Sequence, residues 1–290
     1  MVIYIKLFLT AVLFGGTFIA ARIAAQHVGP YSASFLRFAV ASFFLVLFAG
    51  LATNKLPRLR KNQIISVILL GLTGVFAYNV FFFSGLKTIS ASRASLIIAA
   101  SPVFIALFAA TFFKEKLSIK NCVGIFLCIS GAIVVISRGN PLIILQGGVS
   151  SGELYILGCV ASWVAYSLIG KSTIRDVSPL SAVTYSCIIG DLFLFFPACS
   201  EGMFRDIAGY SAADWLSIFY LGFFGSVIGF TWFYEGIKKI GASRAGVFIN
   251  FVPIAAVILA YFILGEKPDR SLTSGAVIVI SGAYLTNKKG

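Results

Sequence analysis

Charge is what this chain has least of: 11% of its 290 residues are Asp, Glu, Lys or Arg, and only ten are acidic. Histidine occurs once, as His27 between two apolar runs, which excludes a histidine-built metal centre and reads as a solvated loop side chain. The five cysteines (Cys122, Cys128, Cys159, Cys187 and Cys199) lack paired spacing and lie within or at the ends of apolar runs. They suggest neither a disulfide framework nor a zinc site, and read as small packing residues. No glycine-rich stretch ends in the Gly-Lys of a phosphate-binding loop, so ATP is not expected to act directly. Asp191 is the one carboxylate well inside an apolar run, which leaves no cluster for intramembrane hydrolase or transferase chemistry. No enzyme, cofactor or metal is expected.

Apolar residues are what the chain has in excess. They make up 59% of it, at a mean hydropathy of +0.98, more than one soluble core of this size could bury. Ten apolar runs, each long enough to cross about 30 Å of hydrocarbon at about 1.5 Å per residue, fall near 4-25, 31-51, 64-83, 92-113, 118-137, 153-171, 179-199, 214-235, 243-264 and 271-287. An all-α integral membrane protein with ten transmembrane helices is expected.

The net charge of +13 invites a nucleic-acid reading, but its placement points to topology instead. With the N-terminus inside, fifteen basic residues face the cytoplasm, among them Lys6, Lys55, Arg58, Lys114, Lys171 and Lys238. Seven face outward: Arg22, Lys87, Arg93, Arg138, Arg205, Lys267 and Arg270. The positive-inside rule then places both termini in the cytoplasm. The opening "MVIYIKLFLTAVLFGGTF" has the look of a signal peptide, but a partner for it later in the chain makes it the first membrane helix.

That partner belongs to an internal repeat. "SASRASLIIAASP" (90-102) returns as "GASRAGVFINFVP" (241-253), a shift of 151 residues. Laying 85-134 on 236-285 needs no gap and matches punctuation and charge as well as apolar residues: Gly85/Gly236, Arg93/Arg244, Pro102/Pro253, Glu115/Glu266, Gly124/Gly275 and Gly131/Gly282. A shift of 149 brings Phe14 onto Trp163 and Pro30 onto Pro179. Residues 1-137 and 153-290 are therefore expected to be two five-helix repeats joined by a loop at 138-152. An odd number of spans inverts the second copy, and inverted repeats are how a transporter makes inward- and outward-open states from one plan.

On these residues the chain resembles the drug/metabolite transporter superfamily, in particular its EamA-type bacterial members. The matching stretches are "FGGTF" at 14-18, "FLRF" at 35-38, the long segment 90-135, "SWVAYSLIGK" at 162-171 and "GASRAGVFINFVPIAAVILAYFILGEK" at 241-267. Phe14 stands where that family often has tryptophan, and "YNVFFF" at 78-83 makes the third helix unusually aromatic. The resemblance implies a multi-pass protein of the bacterial inner membrane, in contact with a lipid bilayer and a small-molecule substrate, with a central cavity lined by helices 1, 3, 4, 6, 8 and 9. It further implies a secondary transporter exporting amino acids or related small metabolites or drugs, with protons a candidate coupling ion. A channel or membrane-embedded sensor built on the same bundle is the alternative, distinguished by its lack of exchange.

The residues support such a cavity from below. Gly15, Gly16 and Thr17 lie near mid-membrane in the first helix, while Trp163, Tyr166 and Ser167 furnish its inverted partner. Room and a stacking surface would result; alternatively the glycines only let helices pack closely. Pro102 and Pro253 would each free the carbonyl four residues earlier and kink a helix beside the cavity, or kink it for structural reasons alone. Asn79, with Tyr78 beside it, and Asn250 are polar groups for ligand contact or for interhelical bonds. Arg37 and Asp191 lie at comparable depth as an ion pair or an outer vestibule, against a snorkelling arginine and a locally satisfied aspartate. Arg93 and Arg244 follow Ser92 and Ser243, expected as helix caps; they read as gates, one per mouth, or as headgroup anchors. Glu235 is spaced for local pairing with Lys238 and Lys239, Glu153 suits a helix N-terminus, and the glycines of helices 5 and 10 form a packing seam. A cavity short of fixed charge would suit a zwitterion or a neutral metabolite.

Overall fold

Backbone in hydrocarbon must satisfy its own N–H and C=O groups, and a helix does so within one segment. The computed structural model describes residues 1–53, 59–114, 118–140, 142, 148–173, 179–240 and 242–287, and every regular element among them is helical. α1 is Val2–Ala24 and α2 is Pro30–Thr53. α3 runs from Lys61–Leu70 through a π-helical stretch, Gly71–Ala77, into Tyr78–Leu86. α4 comes in two pieces, Ala91–Ile98 and Ser101–Phe113, and α5 is Ile119–Ile136. The second half repeats the plan with α6 (Ser151–Thr173), α7 (Pro179–Glu201), and α8, in which Ala212–Phe219 and Phe230–Ile240 flank a π-helical Tyr220–Gly229. α9 is again two pieces, Ala242–Ile249 and Val252–Leu264, and α10 is Arg270–Asn287.

Among the described residues nine segments are long and apolar enough to cross a membrane. α10 has the length, 18 residues, but Arg270, Ser271, Thr286 and Asn287 at its ends dilute its apolar centre. Large apolar side chains cover the outside, Phe112, Phe126, Phe196 and Phe262 being 70% to 78% exposed. Water would not tolerate that surface; lipid does.

Contacts between helices recur under the shifts of 151 and 149 residues. In α5 and α10, Gly124 faces Thr286, Gly131 faces Val279 and Gly275 faces Val135, so partner numbers fall along α10 as they rise along α5. The pair is antiparallel, and exchanging the copies maps Gly124–Thr286 onto Gly275–Val135. Cys128 even donates its S–H to the carbonyl of Val279, its own counterpart, at 3.6 Å. This is the self-complementary contact of a two-fold axis. Gly85 meets Ile156 as Gly236 meets Leu7, and Gly71 packs on Ser186 and Ile189 as Gly222 packs on Arg37 and Val40. The π-helical stretches coincide too, and α4 and α9 both end on a left-handed residue, Lys114 (φ 54°) and Gly265 (φ 67°).

Two local expectations are corrected. Pro102 and Pro253 do not kink continuous helices: 99–100 and 250–251 form turns, and each proline stands second in the piece of helix that follows. In the first helical turn a missing N–H costs nothing, so complete interruption is the cheaper solution. The freed Ile98 carbonyl accepts from Ser101 Oγ at 2.6 Å. The cap of α4 is Ser90, not Ser92, because the helix begins at Ala91; Ser90 accepts from the Arg93 N–H, whereas Ser92 donates to Glu266, just past the end of α9. The side chains of Ser243 and Arg244, and all of Glu115, lie outside the described residues.

Candidate functional site

The interrupted helices leave between them a cavity of about 500 Å³. Thr17 of α1, Tyr78 of α3, Pro102 of α4, Trp163 and Ser167 of α6, and Asn250 and Pro253 of α9 line it. Gly225 and Phe230 of α8 complete the six helices implied by the resemblance, and Arg37 of α2 and Ile280 of α10 are additions to them. On α4, α6 and α8 the lining runs toward the C-terminal ends, through Ala109, Lys171 and Phe233. Those ends share the face on which α1 begins, so the cavity extends toward that face.

Aromatic rings form one wall. Trp163 stacks on Tyr166 with centroids 5.3 Å apart and tilts against Tyr78 at 5.6 Å; Tyr78 in turn stacks on Phe82 at 5.7 Å. Tyr78 and Trp163 present surface to the cavity, whereas Tyr166 fills the space beside Gly74. Trp163's position also follows from α6 packing antiparallel on α3, with Gly158 against Phe81 and Gly152 against Thr88.

Arg37 is buried, 8% exposed, and borders the cavity. Its Nη1 donates to Asn79 Oδ1 at 2.9 Å, and its Nε and Nη2 both reach Ser226 Oγ at 3.4 Å. Asn79 closes the π-helical stretch of α3 by donating Nδ2 to the carbonyls of Val75 (2.8 Å) and Gly74 (3.2 Å). Ser226 does the same in α8, donating to Leu221 O at 3.1 Å. π-Helical turns leave carbonyls off the regular ladder, and here polar side chains take them up and then anchor one guanidinium. Asp191 does not pair with Arg37: it lies on α7 away from the cavity, and its Oδ1 is buried without a hydrogen-bond partner. The expected ion pair is therefore not formed.

Other expected residues move to different roles. Gly15 and Gly16 are packing contacts, because a methyl group at Gly15 would lie 2.7 Å from Ala255 Cβ and one at Gly16 would overlap the Tyr220 ring. Asn79 sits behind Arg37. Asn250 borders the cavity, and its Nδ2 is buried without a partner. The lining, expected to be short of fixed charge, carries two cations, Arg37 and Lys171, and no carboxylate is among its described residues.

At the opposite face, Arg93 ties four helices together. Its Nη1 donates to the Val135 carbonyl of α5 at 2.6 Å and reaches Glu153 of α6 at 3.4 Å, while Nη2 lies 3.6 Å from Asp269 at the start of α10. The Leu272 N–H, then the Ser271 hydroxyl and Arg93, hold Asp269 below the ordinary carboxylate range and thus ionised. Glu266 adds bonds to the Ala91 and Ser92 N–H groups at 2.8 and 3.0 Å. Glu153 is both the N-terminal cap partner of Ser150 and an acceptor for Arg93, a second role beyond the helix end. On the cavity's open side Glu235 bridges Lys6 at 2.7 Å and Lys239 at 2.8 Å, so its pairing is interhelical as well as local.

Ser226 and the cavity position of Arg37 were not expected from the residues. The only signal available is that Ser226 stands where the first copy has Val75, and Arg37 where the second has Ser186.

Known proteins agree with this architecture. Residues 1–137 and 150–288 match the EamA-like transporter family. "Uncharacterized transporter YyaM" of Bacillus subtilis (strain 168) is 32% identical over 98% of this chain and 93% of its own. A "Probable terminal-alkyne amino-acid exporter" of Streptantibioticus cattleyicolor is 29% identical over 98% and 92%. A "Probable amino-acid metabolite efflux pump" of Salmonella typhimurium is 27% identical over 96% and 92%. A solved crystal structure superimposes with a TM-score of 0.64 over 96% of this chain and 94% of the other, at 21% identity, a likeness in fold alone.

Proposed function

The chain belongs to the EamA-like transporter family, a family of membrane transporters and not of enzymes, and on that premise we propose that it exports amino acids or related small metabolites by alternating access. Residues 1-137 and 153-290 act as inverted five-helix repeats around one site, with both termini in the cytoplasm of a bacterial cell and the inner membrane as its location. Names of two relatives, an amino-acid exporter and an amino-acid metabolite efflux pump, support the direction and the substrate class.

The observation that carries this reading is the cavity at the two helix breaks, lined from both halves, with the Arg93 cluster toward the face opposite its open side. Pro102 and Pro253 put half-helix ends and unladdered carbonyls at the same level of each copy, which membrane proteins tolerate where the backbone lines a cavity. With both termini inside, the cavity faces the cytoplasm and Arg93 seals the outside. Asp191, buried and unpartnered at Oδ1, is the proposed proton carrier.

Counterflow in proteoliposomes tests this, with radiolabelled amino acids, purines and cationic dyes offered in turn. Saturable exchange of at least one amino acid is expected, and Asp191→Asn should keep exchange while losing its response to a pH gradient. Conductance without exchange would contradict the transporter reading, and an unchanged pH response would contradict the role of Asp191.

A further inference from the structure

Among the described residues, Arg37 is a cation without an anion. It is 8% exposed in the middle of a membrane helix, and among the described residues both of its hydrogen-bond acceptors, Asn79 and Ser226, are neutral. The Phe38 ring lies 5.2 Å from the guanidinium carbon, and Tyr78 and Cys187, neutral as ordinary phenol and thiol, are also near. A guanidinium carries five N–H donors; three are engaged by described residues, which leaves one on each terminal nitrogen without a described acceptor. A buried charge in so dry a place is costly unless it is paired. No carboxylate among the described residues bonds to it, and Arg37 borders the cavity.

We propose that Arg37 holds the carboxylate of the transported molecule, so that the site takes small organic acids and amino acids and rejects their amides and decarboxylated amines. The inference rests on the transporter reading above and names the chemistry of the same cavity. Two free N–H groups match two carboxylate oxygens, in the planar geometry that makes arginine the better partner than lysine. The remainder of the substrate lies on the Tyr78–Trp163 wall. Asn79 and Ser226 are positioning residues: Asn79 follows the π-helical stretch of α3, Ser226 lies within that of α8 in the opposite half, and the two fix the guanidinium plane between them. A bound carboxylate would thus engage a group held jointly by both repeats.

Matched probes test this: L-phenylalanine, L-phenylalaninamide and 2-phenylethylamine, with the corresponding L-leucine and L-threonine sets. Binding is read by intrinsic fluorescence of the full chain in lipid nanodiscs, and flux separately in proteoliposomes. Wild-type protein should bind at least one acid about tenfold or more tightly than its amide and amine, the scale of one charge-assisted hydrogen-bonded pair. Arg37→Gln should bring that ratio close to one, Arg37→Lys should leave it intermediate, and Ser226→Ala should lower it with the charge retained. The wild-type ratio needs no variant, so misfolding of Arg37→Gln does not hide the result. Equal binding of acids and amides, or no binding of any probe, would overturn the inference. Flux of acids and amides alike would overturn it while leaving the transporter reading intact, whereas acid-selective binding without flux would keep Arg37 and contradict transport.

Discussion

At the π-helical stretch of α3 and just beyond it the chain carries Gly74, Val75, Tyr78 and Asn79; at the matching place in α8 it carries Gly225, Ser226, Gly229 and Phe230. Gly74 and Gly225 agree, and so does the backbone, although Gly229 answers to Tyr78. The polar groups do not: one copy has the amide, the other the hydroxyl, and the guanidinium between them comes from α2, whose counterpart in α7 is Ser186. The same holds across the cavity, where Trp163 on α6 answers to Phe14 on α1. Symmetry is kept where helices touch, because two exchangeable packings need equivalent surfaces. It is given up where a ligand would sit, because a small substrate has no two-fold axis.

The largest effect should come from breaking the part that is shared. A side chain at Gly282 would begin 2.5 Å from the Cys128 backbone nitrogen, and one at its counterpart Gly131 2.8 Å from that of Val279. Gly282→Leu and Gly131→Leu should each lower stability by about 3 kcal/mol, seen as early melting in detergent. Markedly unequal losses would break the equivalence of the copies.

Next in size is the part that is not shared. Trp163→Ala should reduce counterflow by about tenfold through loss of the aromatic wall, and Phe14→Ala only by about twofold, with saturation kinetics as the readout. Equal losses would mean that both walls bind.

A smaller shift is expected from Arg93→Ala, which leaves Glu153, buried beside it, without its cation. The face closed by Arg93 should open more often, by about tenfold in population, measured as modification of a cysteine placed at Ser95 in a chain whose native cysteines are replaced. Unchanged labelling would reduce Arg93 to an anchor.

Smallest is the helix end. Lys114 and Gly265 occupy the same left-handed position, where a side chain costs about 1 kcal/mol. Lys114→Gly should stabilise by that amount and Gly265→Lys should destabilise by it, both read from thermal melts.

Much of the fold was legible in the residues. Ten apolar runs set the spans, and the recurrence of Arg93, Pro102, Glu115 and Gly124 at 151 residues set the duplication, because punctuation is retained where geometry demands it. Thr17, Tyr78, Trp163, Ser167 and Asn250 were assigned to the cavity from depth and residue type, and they do line it. Other positions were harder to read. A glycine at mid-depth has one appearance whether it makes room for a ligand or for a neighbouring helix, and Gly15 turned on Ala255, far away in the chain. A π-helical turn leaves no periodicity of its own, so Asn79 and Ser226 gave no sign of meeting at Arg37. Nor could the depth of Arg37 and Asp191 show that they point to different neighbours.

The most direct test is the motion of the two faces. Spin labels at Lys87 and Lys267 report on the Arg93 face, and labels at Lys114 and Lys239 on the other; all four residues are exposed. In nanodiscs, with a transported substrate added or withdrawn, pulsed electron-electron distances should change in opposite senses, the first pair separating as the second closes. Distances that stay fixed, or that lengthen together, would contradict one site served in turn by two inverted halves.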